Sequence, residues 1–218
     1  MTRSSWPHRL STPRRWLFAL AAFVLATFAL AACGGDDAPT ELAGIRRTPL
    51  PDVTGAAMPD VTRDDAPFDF VADDGELLVV YFGYTHCPDV CPTTLADLRS
   101  ALRKIEPEQA ERVSLAFATV DPERDTADII SGYVQSFLDD ASALRTTDPD
   151  LLAAAADPFG AVYDVTTNDA GDIEVVHSAF TYVVDDQGRL VVTWPFGIPA
   201  DDMANDLSVL FAEQTEEV

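Results

Sequence analysis

The stretch Leu77-Leu78-Val79-Val80-Tyr81-Phe82-Gly83-Tyr84-Thr85-His86-Cys87-Pro88-Asp89-Val90-Cys91-Pro92 decides how this chain folds. Its first six residues are continuously apolar, the pattern of a central strand buried on both faces. From about Val90 to Ile105, the apolar residues Leu95, Leu98, Leu102 and Ile105 recur at spacings of three, four and three, so an amphipathic helix follows and stops near Pro107. A buried strand therefore runs into a helix through a short loop, and that loop holds two of the chain's three cysteines.

Working outward, Phe68 to Val71 alternates and Asp73-Asp74-Gly75 turns, which places an edge strand before the central one. Val113 to Val120 is a second buried strand, and the loop Asp121-Pro122-Glu123-Arg124-Asp125-Thr126 closes it. A helix follows with Ile129, Ile130, Tyr133, Val134, Phe137 and Leu138 on one face. Asp148 to Ala156 reads as a short helix and Ala161 to Val165 as a short strand. Strands over Glu174 to Val184 and Arg189 to Trp194 flank the turn Asp185-Asp186-Gln187-Gly188, and a last helix after Pro199 turns Met203, Leu207, Leu210 and Phe211 inward. This order predicts an α/β domain with a mixed central sheet flanked by helices, compatible with a thioredoxin-like fold.

The ends of the chain have a different character. Residues 1 to 33 contain Arg3, Arg9, Arg14 and Arg15 and no acid, and an uncharged run extends from Trp16 to Ala32. It closes on Leu30-Ala31-Ala32-Cys33-Gly34, which resembles a bacterial lipobox, with Cys33 as the acylated first residue of the mature protein. Residues 1–32 are therefore expected to be a lipoprotein signal peptide. Residues 33–66, rich in Pro, Gly, Asp and Thr and repeating Pro-Asp-Val-Thr at 51 and 59, are expected to form a lipid-anchored tether and lead-in. The folded domain is expected over 67–215, held on the extracytoplasmic face of the cell membrane.

The 218 residues carry 14 basic and 37 acidic side chains, a formal charge of -23. Without the four leader arginines, ten basic residues face the same 37 acids, a charge of -27. A surface this acidic repels phosphate and excludes nucleic acid as a partner. The acids fit no EF-hand spacing and read as solvated faces, while no phosphate loop or HExxH motif occurs.

The chemistry collects in the cysteine loop. Two thiols at a helix start sit where free backbone N–H groups and the helix dipole favour thiolate, the form that binds metal or attacks a disulfide. A spacing of four can bring both sulfurs to one side. Such a pair serves as a structural disulfide, a redox dithiol or a metal-binding dithiol. A disulfide here closes only a small loop and constrains the unfolded chain little. Two thiolates favour Cu(I), whereas Cu(II) or Zn(II) wants a further donor, usually imidazole. His8 goes with the leader, and His86, adjoining Cys87 in an extended loop, is expected to point away from it. His177, in Val175-Val176-His177-Ser178-Ala179-Phe180, is equally compatible with a satisfied polar group and with a ligand.

The run Tyr81 to Pro92, the loop Asp121 to Thr126 and the segment from His177 to Asp185, in this order, resemble the Sco/SenC copper chaperones over roughly Pro67 to Phe211. The resemblance implies a membrane-tethered thioredoxin-fold domain that binds one copper ion, Cu(I) or Cu(II), through Cys87, Cys91 and His177. It implies a role in metallating the binuclear copper centre of cytochrome c oxidase, whose copper-bearing subunit is then the partner. It places Asp121 close to the site, orienting ligands or taking part in copper-linked thiol exchange. The alternative is a thiol-disulfide reductase in which Cys87 and Cys91 keep the oxidase cysteines reduced. Two departures stand out: Val176 replaces the Asp that many relatives carry before the histidine, and the stretch between Phe70 and Leu77 is short.

Overall fold

A computed structural model describes residues 41–216; Cys33, His8 and the proposed leader lie outside them. Strand β3 (Leu77–Gly83) is the centre of the domain, with all seven residues buried. It pairs in parallel with β4 (Val113–Thr119), which pairs in parallel with the three-residue β5 (Ser142–Leu144). On its other side lies β8 (Phe180–Val184), antiparallel, followed by β9 (Leu190–Pro195). Beyond β5, the hairpin of β1 (Ala57–Asp60) and β2 (Ala66–Asp69) completes a seven-stranded mixed sheet in the order β2-β1-β5-β4-β3-β8-β9.

Period-two alternation divides the core. Leu77, Val79 and Tyr81 face one cluster, packed with α1 (Val90–Leu102), α3 (Ala127–Gln135) and α5 (Ala200–Glu216). Leu78, Val80 and Phe82 face the other, with α4 (Pro149–Ala156) and Phe159. α1 ends at Leu102, short of the expected Ile105, and Pro107 instead begins a four-residue helix, α2 (Pro107–Ala110), where its missing N–H costs nothing. The alternating β3 side chains thus send Tyr81, and the space over Gly83, to the same face as both cysteines.

Two expectations need correction. The run Glu174 to Val184 is not one strand. It breaks at Ser178 and Ala179 into β7 (Ile173–His177) and β8, and β7 pairs with β6 (Tyr163–Thr167) in a separate two-stranded ribbon. Ser178 ties the ribbon's base, its N–H donating to Val162 O at 2.7 Å while its Oγ accepts from Val162 N at 3.1 Å.

The boundary expected at Pro67 also falls inside the fold. From Leu42 the chain packs on the domain, forms bridges Ile45–Thr193 and Asp52–Arg189 along the outer edge of β9, and then contributes β1. The fastening is Asp206 on α5, fully buried, whose carboxylate accepts from Ala43 N at 2.7 Å, Gly44 N at 2.8 Å and Trp194 Nε1 at 2.8 Å. A β-carbon on Gly44 would lie 2.5 Å from Val192 Cγ1, so only glycine lets the strap approach. Arg46 adds two hydrogen bonds to Glu213, at 3.0 and 2.7 Å. No helix among the described residues is long and apolar enough to cross a membrane.

Replacing Asp206 by Ala leaves three donors without their acceptor, so a loss of about 2–4 kcal/mol is expected. Urea unfolding should show the lower midpoint, and limited proteolysis should cut first within residues 41–56; an unchanged midpoint would contradict the fastening role.

Candidate metal centre

The loop from β3 to α1 is held from below by a buried carboxylate. Asp125 accepts from Thr85 N at 3.0 Å, Thr85 Oγ1 at 2.5 Å and Thr119 Oγ1 at 2.7 Å, while Arg145 grips its backbone carbonyl at 2.8 Å. Thr85 fixes the chain two residues before Cys87. Asp89 takes the N-cap of α1 but makes no side-chain cap bond. Cys87 Sγ instead accepts from the N–H of Cys91, at 3.3 Å, so a sulfur does the work of a capping oxygen.

Among the described residues, Cys87, Cys91 and His177 bring their donor atoms within 4.8 Å of one another. Both cysteines are free thiols. Cys91 is fully buried and Cys87 is 9% exposed, at the wall of an open groove of about 320 Å³ that Val90, Val176, His177 and Ala179 also line. His177 Nε2 lies 3.7 Å from Cys91 Sγ, and Nδ1 lies 3.2 Å from the Ser178 carbonyl. A carbonyl only accepts, so Nδ1 carries the proton and Nε2 turns a lone pair toward the sulfurs. The rings of Tyr81 and Tyr84 meet the imidazole edge to face, with centroids at 6.0 and 5.7 Å. The spacing suits a single ion: at bond lengths of about 2.3 Å to sulfur and 2.0–2.1 Å to nitrogen, two donors about 115° apart lie about 3.7 Å from each other.

The two thiols differ. Burial raises the pKa of Cys87, but the N–H groups of Cys91, Asp89 and Val90 outweigh it, and the net shift is downward. Burial pushes Cys91 up to about 12, with the Cys87 sulfur adding to the rise. Burial also lowers the pKa of His177, against the opposing contacts with the Ser178 and Phe82 carbonyls, so the ring is neutral at pH 7 and able to bind metal.

Asp121 and His86 belong to a neighbouring group with Asp125. His86 Nδ1 lies 3.2 Å from Thr85 Oγ1 and 3.4 Å from Asp125 Oδ1. The Asp121 carboxylate is engaged by Arg124 Nε. The carboxylate that holds the cysteine loop is Asp125, a residue the sequence reading did not single out. Its role comes from partners on β3's loop, β4 and residue 145, which no local pattern reveals.

Fold and site together define a thioredoxin-like domain with a dithiol and an imidazole at the end of its central strand. Residues 60–212 match the SCO1/SenC family model, and the chain belongs to that family. It is 33% identical over 135 residues to Protein SCO1 homolog 1, mitochondrial, of Arabidopsis thaliana, an alignment covering 57% of this chain and 40% of that one. The apo Sco1 protein of Thermus thermophilus superposes with a TM-score of 0.65 at 30% identity, covering 85% of this chain and 100% of its own. Bradyrhizobium japonicum ScoI, solved with copper bound, superposes with a TM-score of 0.60 at 30% identity, covering 71% of this chain and 96% of its own.

Because Cys87 is the one of the two described thiols shifted downward, alkylation of the reduced, metal-free protein with iodoacetamide should modify Cys87 before Cys91. Its rate should rise with pH through a midpoint below the ordinary thiol range, while Cys91 stays protonated and unreactive near neutrality. Peptide mass mapping showing Cys91 modified first would contradict the assignment. A second prediction concerns Gly83, where a β-carbon would sit 2.7 Å from Tyr81 Cε1 and 3.0 Å from Cys91 Sγ. Gly83→Ala is expected to destabilise the protein by about 1–3 kcal/mol through overpacking, read as a lower urea midpoint.

Proposed function

We propose that this protein is a copper-carrying chaperone, anchored through acylated Cys33 to the extracytoplasmic face of the cell membrane, that helps metallate cytochrome c oxidase. The observation that carries this reading is the convergence of Cys87 Sγ, Cys91 Sγ and His177 Nε2 beside an open groove that Cys87 and His177 line. Copper is cargo here. Two thiolates suit Cu(I), and the neutral imidazole supplies the third donor that Cu(II) requires. The open side leaves room for an acceptor's ligands to approach, in keeping with handover rather than permanent storage. Copper seated on the Bradyrhizobium relative and the family's association with oxidase assembly support the assignment. On this reading residues 1–32 are the leader. The tether proper then ends where the strap begins, near Leu42, and the acceptor is the copper-bearing subunit of the oxidase.

The unequal thiols favour a second reading, a thiol-disulfide reductase acting on oxidase cysteines. Cys87, at the groove and shifted downward, would attack a target disulfide, and buried Cys91 would resolve the mixed disulfide. This chemistry has no need of His177.

Anaerobic titration of the reduced protein should give one copper per chain, with a sulfur-to-Cu(II) charge-transfer band that disappears in Cys87→Ser and Cys91→Ser. His177→Ala is expected to weaken Cu(II) by at least tenfold and Cu(I) much less. Equal losses for both oxidation states would contradict a role of His177 selective for Cu(II), and His177→Ala that still supports oxidase assembly in cells would favour the reductase.

A further inference from the structure

We propose that Tyr81 is a positioning residue of this centre, its hydroxyl donating to Cys91 Sγ so as to hold that sulfur in place and withdraw electron density from it. The copper consequence rests on the function proposed above; the contact with the sulfur does not.

Tyr81 is fully buried on β3, and its hydroxyl lies 3.7 Å from Cys91 Sγ. A phenylalanine would fill the same space without burying a hydroxyl, and that hydroxyl has two polar partners, the Cys91 sulfur and the side chain of Thr94, whose own hydroxyl donates to Val90 O at 2.8 Å. The adjacent backbone makes room for that meeting. Gly83, two residues on and facing the same side, omits the β-carbon that would press on both the Tyr81 ring and the Cys91 sulfur. The ring also touches Phe117, with centroids at 5.8 Å, and stands edge to face at 85° to His177. One side chain therefore contacts two of the three donor groups, through different atoms: its ring meets the imidazole and its oxygen meets the thiol.

That division makes the two roles separable. A hydrogen bond to sulfur, whether a copper-bound thiolate or the protonated thiol of the metal-free protein, lowers the energy of the sulfur lone pairs and stabilises the reduced sulfur. Tyr81→Phe keeps the ring against Phe117 and His177 and removes only the donor. With the donor gone, the lone pairs rise in energy, and transfer of charge from sulfur to Cu(II) needs less energy.

The test uses the full chain in detergent, as wild type, as Tyr81→Phe and with 3-fluorotyrosine, a stronger O–H donor of nearly the same shape, incorporated at position 81. With one equivalent of Cu(II), the charge-transfer band is expected to move to longer wavelength in Tyr81→Phe and to shorter wavelength with fluorotyrosine. In the metal-free protein, the equilibrium in which the dithiol and oxidised glutathione give the protein disulfide and two reduced glutathiones is expected to shift about fivefold toward the disulfide in Tyr81→Phe, the worth of one hydrogen bond. A band and an equilibrium both unchanged in Tyr81→Phe would overturn the proposal, as would equal shifts in the same direction for both replacements, which mark a packing effect. A wild type that binds no copper would overturn the copper function and leave the glutathione equilibrium to decide Tyr81 alone.

Discussion

Burial of β3 on both faces is the constraint from which the site follows. Six consecutive side chains have no solvent to turn toward, so the strand has one register, and a slip of one residue would exchange Tyr81 and Phe82 between the two clusters. The register fixed this way sends Tyr81 and the gap over Gly83 toward the thiols, and it delivers the loop to α1 at a set height. Asp125 then fixes the loop from the neighbouring strand's end through Thr85. Each step leaves the next side chain fewer places to go, which is how a four-residue spacing becomes a defined sulfur pair.

The asymmetry of that pair comes from position along the helix start. Cys87 precedes α1 and meets its unpaired N–H groups end on, so the backbone stabilises its charge despite partial burial. Cys91 lies inside the first turn with its sulfur turned to the core, where burial dominates. Two identical residues on one loop thus acquire different chemistry. The difference comes from where the helix begins, and neighbouring charged groups play little part.

What the sequence made legible was whatever repeats at short range. The apolar run of β3, the helical spacing of Leu95 and Leu98, and the two thiols at the junction are local patterns. Asp125 was hidden because its partners, Thr85, Thr119 and Arg145, are scattered over sixty residues. The strap was hidden for a similar reason: residues 42–56 have the composition of a linker, and their order comes from Asp206 and the β9 edge, which lie far along the chain. The break between β7 and β8 has no glycine or proline to announce it, and it rests on the paired contacts of Ser178 with Val162. The large acidic excess, by contrast, was plain from the first count and bears little on the chemistry.

That break has a mechanical consequence. Cys87 and Cys91 are carried by the main sheet and its helix, whereas His177 is the last residue of a two-stranded ribbon with no other strand beside it. The three candidate donors are thus divided between two separate sheets. A rearrangement of the ribbon would move the imidazole relative to the two sulfurs while every pairing of the main sheet stays intact. The placement of the imidazole relative to the sulfurs therefore depends on the ribbon as well as on the main sheet, and anything that leans on the ribbon also acts on the site beneath it.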